Sequence, residues 1–166
     1  EIASCLVGSE MCIRDRIGSV QTRDAVAELL GVPDTSVAIA QSASGALQSL
    51  IRNYNRLQPG DQLLVSDLEY DSVQNAMRWL ATQRGLELIE ISHPHPATFE
   101  NLLQSYRDAF ERHPRIRLMP LTWVTHRTGL VMPVEAIAAC AREFGVEVIL
   151  DGAHALGQID FDLKRL

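Results

Sequence analysis

The sequence predicts an α/β fold in which a mostly parallel sheet is flanked by helices. Two observations support this prediction. Short apolar runs of strand length alternate with segments in which apolar residues recur at helical spacing, and this alternation is typical of parallel α/β sheets. Glycine, proline and small polar residues separate the two kinds of segment, as turns between packed elements require.

Five segments are expected to form strands. Each is a short apolar run bounded by turn-forming or polar residues, which is the pattern of strands buried between layers of helices. The predicted strands are residues 37–40, 62–66, 86–91, 115–123 and 146–150.

Five further segments are expected to form helices. The pattern is clearest in residues 72–84, where Val73, Met77 and Leu80 recur at helical spacing and Gly85 follows as a stop. The predicted helices are residues 24–30, 44–57, 72–84, 98–112 and 133–144.

Residues 1–16 are set apart from the rest of the chain. Residues 4–16 read SCLVGSEMCIRDR, which resembles a translated sequencing adapter, so residues 1–16 are expected to be an artefact rather than part of the fold. The alternative is an ordinary short helix with Met11 and Ile13 facing inward. On the first interpretation, the credible part of the chain is an incomplete domain of residues 17–166.

Composition argues against several classes of function. The formal net charge is -6 and the basic residues are spread along the chain, so nucleic acid is not an expected partner. No apolar run approaches the roughly 20 residues that span a bilayer, so no membrane association is expected. These features predict a soluble cytoplasmic protein.

Cysteines and histidines do not indicate a metal site. Cys5, Cys12 and Cys140 are odd in number and lack the spacing of metal ligands, and Cys140 is expected to be a buried structural thiol. His93 and His95 alternate with prolines in a segment that can only be a loop, and no third ligand lies nearby. A solvated loop is therefore expected there, and no metal.

An acidic residue follows the predicted strand of residues 146–150. Asp151 is aimed at the edge of the sheet where ligands bind in open α/β folds. A carboxylate in this place needs a cationic or hydrogen-bonding partner, and a protonated pyridine nitrogen is one such partner. Gly152 and Ala153 permit close backbone approach, and His154 brings a ring nitrogen within reach. A helix cap or a loop ion pair is the alternative for an isolated aspartate.

A second candidate site begins at residue 41, in the run QSASGAL. Here a small-residue turn leads into the predicted helix of residues 44–57. The N-terminus of a helix offers unpaired N–H groups and a partial positive charge to an anion, and Ala43 and Ser44 leave room for a phosphate. A plain helix cap is the alternative.

Together with residues 65–72 (VSDLEYDS) and 122–133 (TWVTHRTGLVMP), these motifs resemble the class V aminotransferase superfamily. Its members are fold-type I enzymes that depend on pyridoxal 5'-phosphate (PLP), and they include cysteine desulfurases, selenocysteine lyases and isopenicillin N epimerase-like proteins. The run DGAHALGQ of residues 151–158 is most similar to the last of these. The resemblance covers residues 17–166 and implies a partial PLP-dependent transferase large domain, truncated at both ends, with PLP as cofactor.

The resemblance implies a role for each motif. Asp151 would hold the pyridine nitrogen, Tyr70 would stack on the ring, and the region of Ala43 and Ser44 would hold the phosphate. His126 stands where desulfurases commonly have an asparagine that contacts the ring hydroxyl, so either His126 or Thr125 is the donor there. Taken singly, Tyr70 is more typical of a half-buried packing residue, and an exposed loop residue is the alternative for His126. The cofactor-binding set is Ala43, Ser44, Tyr70, His126, Asp151 and His154.

The resemblance further implies a homodimeric enzyme that acts on an amino acid by transamination, epimerisation or elimination, including desulfuration. The family's Schiff-base lysine follows the aspartate motif by a few tens of residues. Lys164 is interpreted instead as part of a turn and helix start, so the chain alone is expected to be inactive. A nucleotide-binding α/β module is the alternative, although no glycine-rich nucleotide motif occurs at a strand end. A second alternative is a fragment without independent function.

Overall fold

The structure is a computed structural model that describes residues 10–160 and 162–163 and divides into two compact units. The first unit reaches to Gln41 and the second begins at Ser42. Lys164, whose role was considered above, lies outside the described residues.

The first unit consists of a long helix and a short 3-10 helix. Helix α1 spans Glu10–Leu30, Gly31 follows it at φ 65°, and the 3-10 helix spans Asp34–Ser36. Helix α1 begins well before the predicted residue 24, and its backbone is continuous through residue 16. The inward packing proposed for Met11 and Ile13 lies outside the described side chains. The artefact hypothesis for residues 1–16 stays a prediction.

The predicted strand of residues 37–40 is wrong. Val37 has extended backbone angles (φ -110°, ψ 126°), but residues 37–40 belong to no strand of the described chain. Apolar and β-branched residues favour extended backbone, whereas a strand also needs a neighbour that pairs with its N–H and C=O groups. Local sequence cannot supply that neighbour, and four of the five predicted strands remain.

The second unit is built on a four-stranded sheet in which every pair is parallel, as the predicted fold class requires. The spatial order of the strands is β2-β1-β3-β4. The two edge strands are only half-buried, so residues 146–150 are less buried than predicted. The strands are β1 Gln62–Ser66, β2 Glu87–Ile91, β3 Ile116–Thr122 and β4 Glu147–Asp151.

Four helices surround this sheet, each close to a predicted position. The largest difference is in α2, which ends at Arg52 instead of residue 57. No described helix is long and apolar enough to cross a membrane. The helices are α2 Ala43–Arg52, α3 Asp71–Arg84, α4 Phe99–Arg112 and α5 Val134–Glu143.

The core lies on both faces of the sheet. Because side chains alternate along a strand, Leu63 and Val65 of β1 pack with the buried residues of α2 and α3, whereas Leu64 packs with those of α4 and α5. Cys140 of α5 is buried in the second of these clusters as a free thiol, as predicted. Burial raises the pKa of this thiol, which disfavours the reactive thiolate.

Helix α3 is followed by Gly85, whose left-handed backbone conformation can be tested by substitution. Gly85 has φ 62° and ψ 37°, and a Cβ at this residue would meet no atom within 4 Å. Gly85→Ala is therefore expected to lower the free energy of unfolding by about 1–2 kcal/mol through backbone strain alone, measured by urea denaturation.

The matched control is Gly18→Ala in α1, where the added Cβ also meets no atom within 4 Å but the backbone is helical. Alanine is the better helix former, so this variant should be as stable as the parent or more stable. Equal losses at the two positions would show that backbone strain at Gly85 is not the cause.

Candidate functional site

The carboxyl ends of the parallel strands meet at one edge of the sheet. The chain passes from β1 to β2 through α3, and then returns through α4 to β3 on the other side of β1. The direction of winding therefore reverses between β1 and β3. In open α/β sheets, ligands bind in the crevice beyond the carboxyl ends at such a reversal. This crevice is the candidate site.

Asp151 is the last residue of β4 and is 9% exposed. Its Oδ1 accepts a hydrogen bond from the Ala153 N–H at 3.0 Å, which resembles the capping role considered as an alternative. Its backbone carbonyl accepts a hydrogen bond from the Trp123 N–H at 2.9 Å. Within the described part of the chain, no arginine or histidine forms an ion pair with Asp151. A nearly buried carboxylate of this kind suits a ligand that brings its own positive charge.

The rings of Tyr70 and His126 contact each other. Tyr70 caps the N-terminus of α3 and is 43% exposed, and its ring centroid lies 4.8 Å from that of His126 in an edge-to-face contact. His126 is half-buried, and the Arg127 Nε donates a hydrogen bond to its Nε2 at 3.2 Å. Its Nδ1 is buried and has no hydrogen-bond partner among the described residues. The site thus presents an accessible ring beside a polar atom that has no partner in the described part of the chain.

The N-terminus of α2 adjoins the N-terminus of α3. The Oγ of Ser42 accepts a hydrogen bond from the Gly45 N–H at 3.1 Å and so caps α2, while Ala43 and Ser44 form its first turn. The Oγ of Ser72, in the first turn of α3, donates a hydrogen bond to the Oγ of Ser44 at 3.4 Å. A Cβ on Gly45 would lie 3.3 Å from the Ser42 Oγ, so the turn is tight. This places the predicted phosphate-binding turn next to the helix that Tyr70 caps.

Two of the candidate residues, His154 and Thr125, make no hydrogen bond or ring contact with Asp151 or Tyr70 in the described structure. His154 is exposed in the turn after β4, and no hydrogen bond or ring contact joins it to Asp151 or Tyr70 in the described structure. Thr125 was the alternative to His126 as a hydrogen-bond donor. It is 2% exposed, and its Oγ1 lies 2.6 Å from the Oγ1 of Thr128. Its hydroxyl is thus occupied within its own loop.

The sequence did not reveal the contacts that Glu69 and Ser72 make. Glu69 is 1% exposed and contacts residues at the ends of both β1 and β3. A glutamate directly before Tyr70 and three residues after Ser66 was the available signal. Its partner on β3 lies 53 residues away in sequence, which the local pattern does not show.

The expectation of a solvated loop is wrong for His93. The segment is a loop, but the His93 side chain is only 5% exposed and its Nδ1 lies 2.7 Å from the Asp67 Oδ1. Burial acts to raise the pKa of Asp67, but its hydrogen bonds from His93 outweigh that effect and the pKa is lowered. Among the residues that the structure describes, no group of three histidine, cysteine or acidic residues is placed to hold a metal.

Sequence comparison relates the chain to PLP enzymes. A sequence model of the family described as aminotransferase class-V matches residues 16–166. Isopenicillin N epimerase from Streptomyces clavuligerus is 31% identical over 147 residues, which cover 88% of this chain and 36% of that protein. A probable cysteine desulfurase from Vibrio cholerae is 32% identical over 149 residues, covering 87% of this chain and 35% of that protein. The chain spans little more than a third of the length of these relatives.

Solved structures share the fold. The cysteine desulfurase CsdA from Escherichia coli has a TM-score of 0.75 and 21% sequence identity, covering 95% of this chain and 40% of that one. A lysine-to-alanine mutant of C-DES, with glycine covalently linked to its PLP cofactor, has a TM-score of 0.75 and 22% identity. That match covers 99% of this chain and 44% of the other. The fold is shared with these solved structures, and the family model matches residues 16–166. The chain therefore belongs to the class-V aminotransferase family.

Proposed function

We propose that the chain is the cofactor-binding part of a PLP-dependent enzyme that acts on an amino acid. One observation carries this proposal: the carboxylate of Asp151 is nearly buried, has no ion-pair partner in the described chain, and lies at the same sheet edge as the accessible ring of Tyr70. Membership of the class-V aminotransferase family supports it, as does the glycine-linked PLP in the C-DES structure.

The described residues fit the groups of PLP. Asp151 would hold the pyridine nitrogen and keep it protonated, and Tyr70 would cover one face of the ring. The N–H groups of Ala43 and Ser44, in the first turn of α2, would hold the phosphate. The buried Nδ1 of His126, which lacks a partner in the described structure, would meet the ring hydroxyl. When bound, PLP supplies an electron-accepting ring to the chemistry at the amino acid carbon.

His154 is assigned to the rim of the same site, because it follows Asp151 by three residues in the turn after β4. The reaction of the whole protein is a transamination, an epimerisation or an elimination. The relatives include proteins named as an epimerase and as probable desulfurases. The side chains assigned here hold the cofactor and do not choose among these reactions.

We propose that the 166 residues alone are inactive. Lys164 is the only lysine in the sequence, and the run DFDLKRL around it is typical of a turn and the start of a helix rather than of a nucleophile at a strand end. The intact protein is proposed to be a cytoplasmic homodimer, the dimer being what the resemblance to the family implies.

The Tyr70 assignment gives a direct test of the cofactor site. Tyr70→Ala in the full-length protein is expected to weaken PLP binding by about 2- to 12-fold, because ring stacking contributes roughly 0.5–1.5 kcal/mol beyond burial. The measurement is a titration of PLP-free protein with PLP, followed by visible circular dichroism. Tyr70→Phe keeps the ring and is the matched control, which should bind PLP as the parent does.

The same titration tests the function as a whole. Pyridoxal lacks the phosphate and should bind more weakly than PLP if the first turn of α2 holds that group. Failure of the unmodified full-length protein to bind PLP would refute the proposed function.

A further inference from the structure

A buried carboxyl group lies between the ends of β1 and β3, where the direction of winding reverses. It belongs to Glu69, which is 1% exposed. Its Oε1 accepts hydrogen bonds from the Ser66 Oγ at 3.1 Å and from the Thr122 N–H at 3.3 Å. Its Oε2 lies 2.5 Å from the Thr122 Oγ1. One side chain therefore holds the last residue of each of the two strands.

The contact with the Thr122 N–H replaces a strand-to-strand hydrogen bond. The next residue, Trp123, directs its N–H to the Asp151 carbonyl on the β4 side. Successive N–H groups along a strand point in opposite directions, so the Thr122 N–H points toward β1. Strand β1 ends at Ser66, and the carboxyl group of Glu69 is the acceptor in that place. Without it, a buried N–H at the end of β3 would lose its partner.

The Glu69 carboxyl has no cationic partner within the described residues. Burial raises its pKa, the hydrogen bonds from Thr122 and Ser66 act against that rise, and the negative charge of Asp151 adds to it. The net direction is upward, which favours a neutral carboxyl group. A neutral group can make these hydrogen bonds without adding a second negative charge near Asp151.

Glu69 is linked to both of the residues on which the proposed cofactor site depends, Tyr70 and Asp151. Tyr70 follows it directly in the chain. Thr122, which it holds, is the register partner of Asp151 in the pairing of β3 with β4. An apolar residue could fill the same volume, but it would leave the Thr122 N–H unpaired.

We propose that Glu69 is a positioning residue, whose contacts with Thr122 and Ser66 set the placement of Tyr70 relative to Asp151 in the cofactor site. This inference rests on the proposed function. Glu69 does not touch the cofactor in this proposal and acts only through the two strand ends that it joins.

The test compares Glu69→Gln with Glu69→Ala in the full-length protein, using the dissociation constant of PLP and the visible circular dichroism of bound PLP. Glutamine reproduces the acceptor and donor of a neutral carboxyl group, so its PLP affinity should stay within about twofold of the parent. Alanine leaves the Thr122 N–H unpaired and should weaken PLP binding by about tenfold or more, with a changed circular dichroism band.

Two further variants complete the experiment. Thr122→Val keeps the backbone N–H and the volume but removes the Oγ1, and it should change the circular dichroism band even if Glu69→Ala fails to fold. Ile137→Val in α5 is the stability control, because Ile137 is 0% exposed in the core and belongs to no part of the site. It should lower the free energy of unfolding while leaving PLP affinity unchanged.

The outcomes separate this inference from the proposed function. If the parent binds PLP and both Glu69→Ala and Thr122→Val match its affinity and circular dichroism, the positioning role is overturned while the function stands. If Glu69→Gln is as impaired as Glu69→Ala, the neutral hydrogen-bonding role is overturned. If the parent binds no PLP, the proposed function fails and this inference fails with it.

Discussion

Replacing Asp151 with alanine is expected to abolish PLP-dependent turnover by the full-length protein. Asp151 is the carboxylate at the end of β4, and it has no ion-pair partner among the described residues, so its removal deprives the pyridine nitrogen of its counter-charge. Loss of a preorganised electrostatic group in an active site costs rate on the order of 10²–10³-fold. The measurement is steady-state turnover of the amino acid substrate at saturating PLP.

A matched control is Asp67→Ala. Asp67 lies directly after the last residue of β1, but its carboxyl contacts His93 and its side chain is 47% exposed. This variant should retain turnover, because Asp67 has no part in the proposed site. Full activity of Asp151→Ala, or equal losses in the two variants, would contradict the role assigned to Asp151.

The largest expected effect on stability is that of Leu64→Ala. Leu64 is 0% exposed on β1, a central strand flanked by β2 and β3, and it packs in the core cluster with residues of α4 and α5. Truncation removes buried methyl groups and leaves a cavity that the surrounding helices cannot fill. The expected loss is about 2–5 kcal/mol in the free energy of unfolding, measured by urea denaturation.

Leu50→Ala makes the same chemical change on the surface of α2, where Leu50 is 58% exposed. Its expected effect is within about 0.5 kcal/mol, since surface substitutions remove little buried area. A loss at Leu50 as large as that at Leu64 would show that the exposed face of α2 is buried in the protein in solution.

Local signals were sufficient for most of the helices and strands. Strand β1 has the predicted bounds, and α3 ends at the predicted Gly85, because the turn residues and apolar spacing that determine these elements lie within the segments themselves. Residues 37–40 carry a similar apolar signal but pair with no strand in the described structure. Whether extended backbone becomes a strand depends on a neighbour distant in sequence.

The residues of the candidate site show the same contrast between local signals and contacts distant in sequence. The sequence pattern proposed Asp151 and Ser44, because each lies beside a predicted strand end or helix start, whereas Tyr70 and His126 were proposed from the family resemblance. It did not identify Glu69, since burial of this carboxyl group is a consequence of packing against β3.

The sequence by itself determined that this chain is an α/β domain and indicated candidate binding residues at its strand ends, because hydrophobic periodicity and turn residues act over short distances. Only the tertiary structure decided the strand order β2-β1-β3-β4 and the contact of Glu69 with Thr122. These features depend on contacts between residues far apart in the chain, whose free energy is gained only when the helices and the sheet pack together.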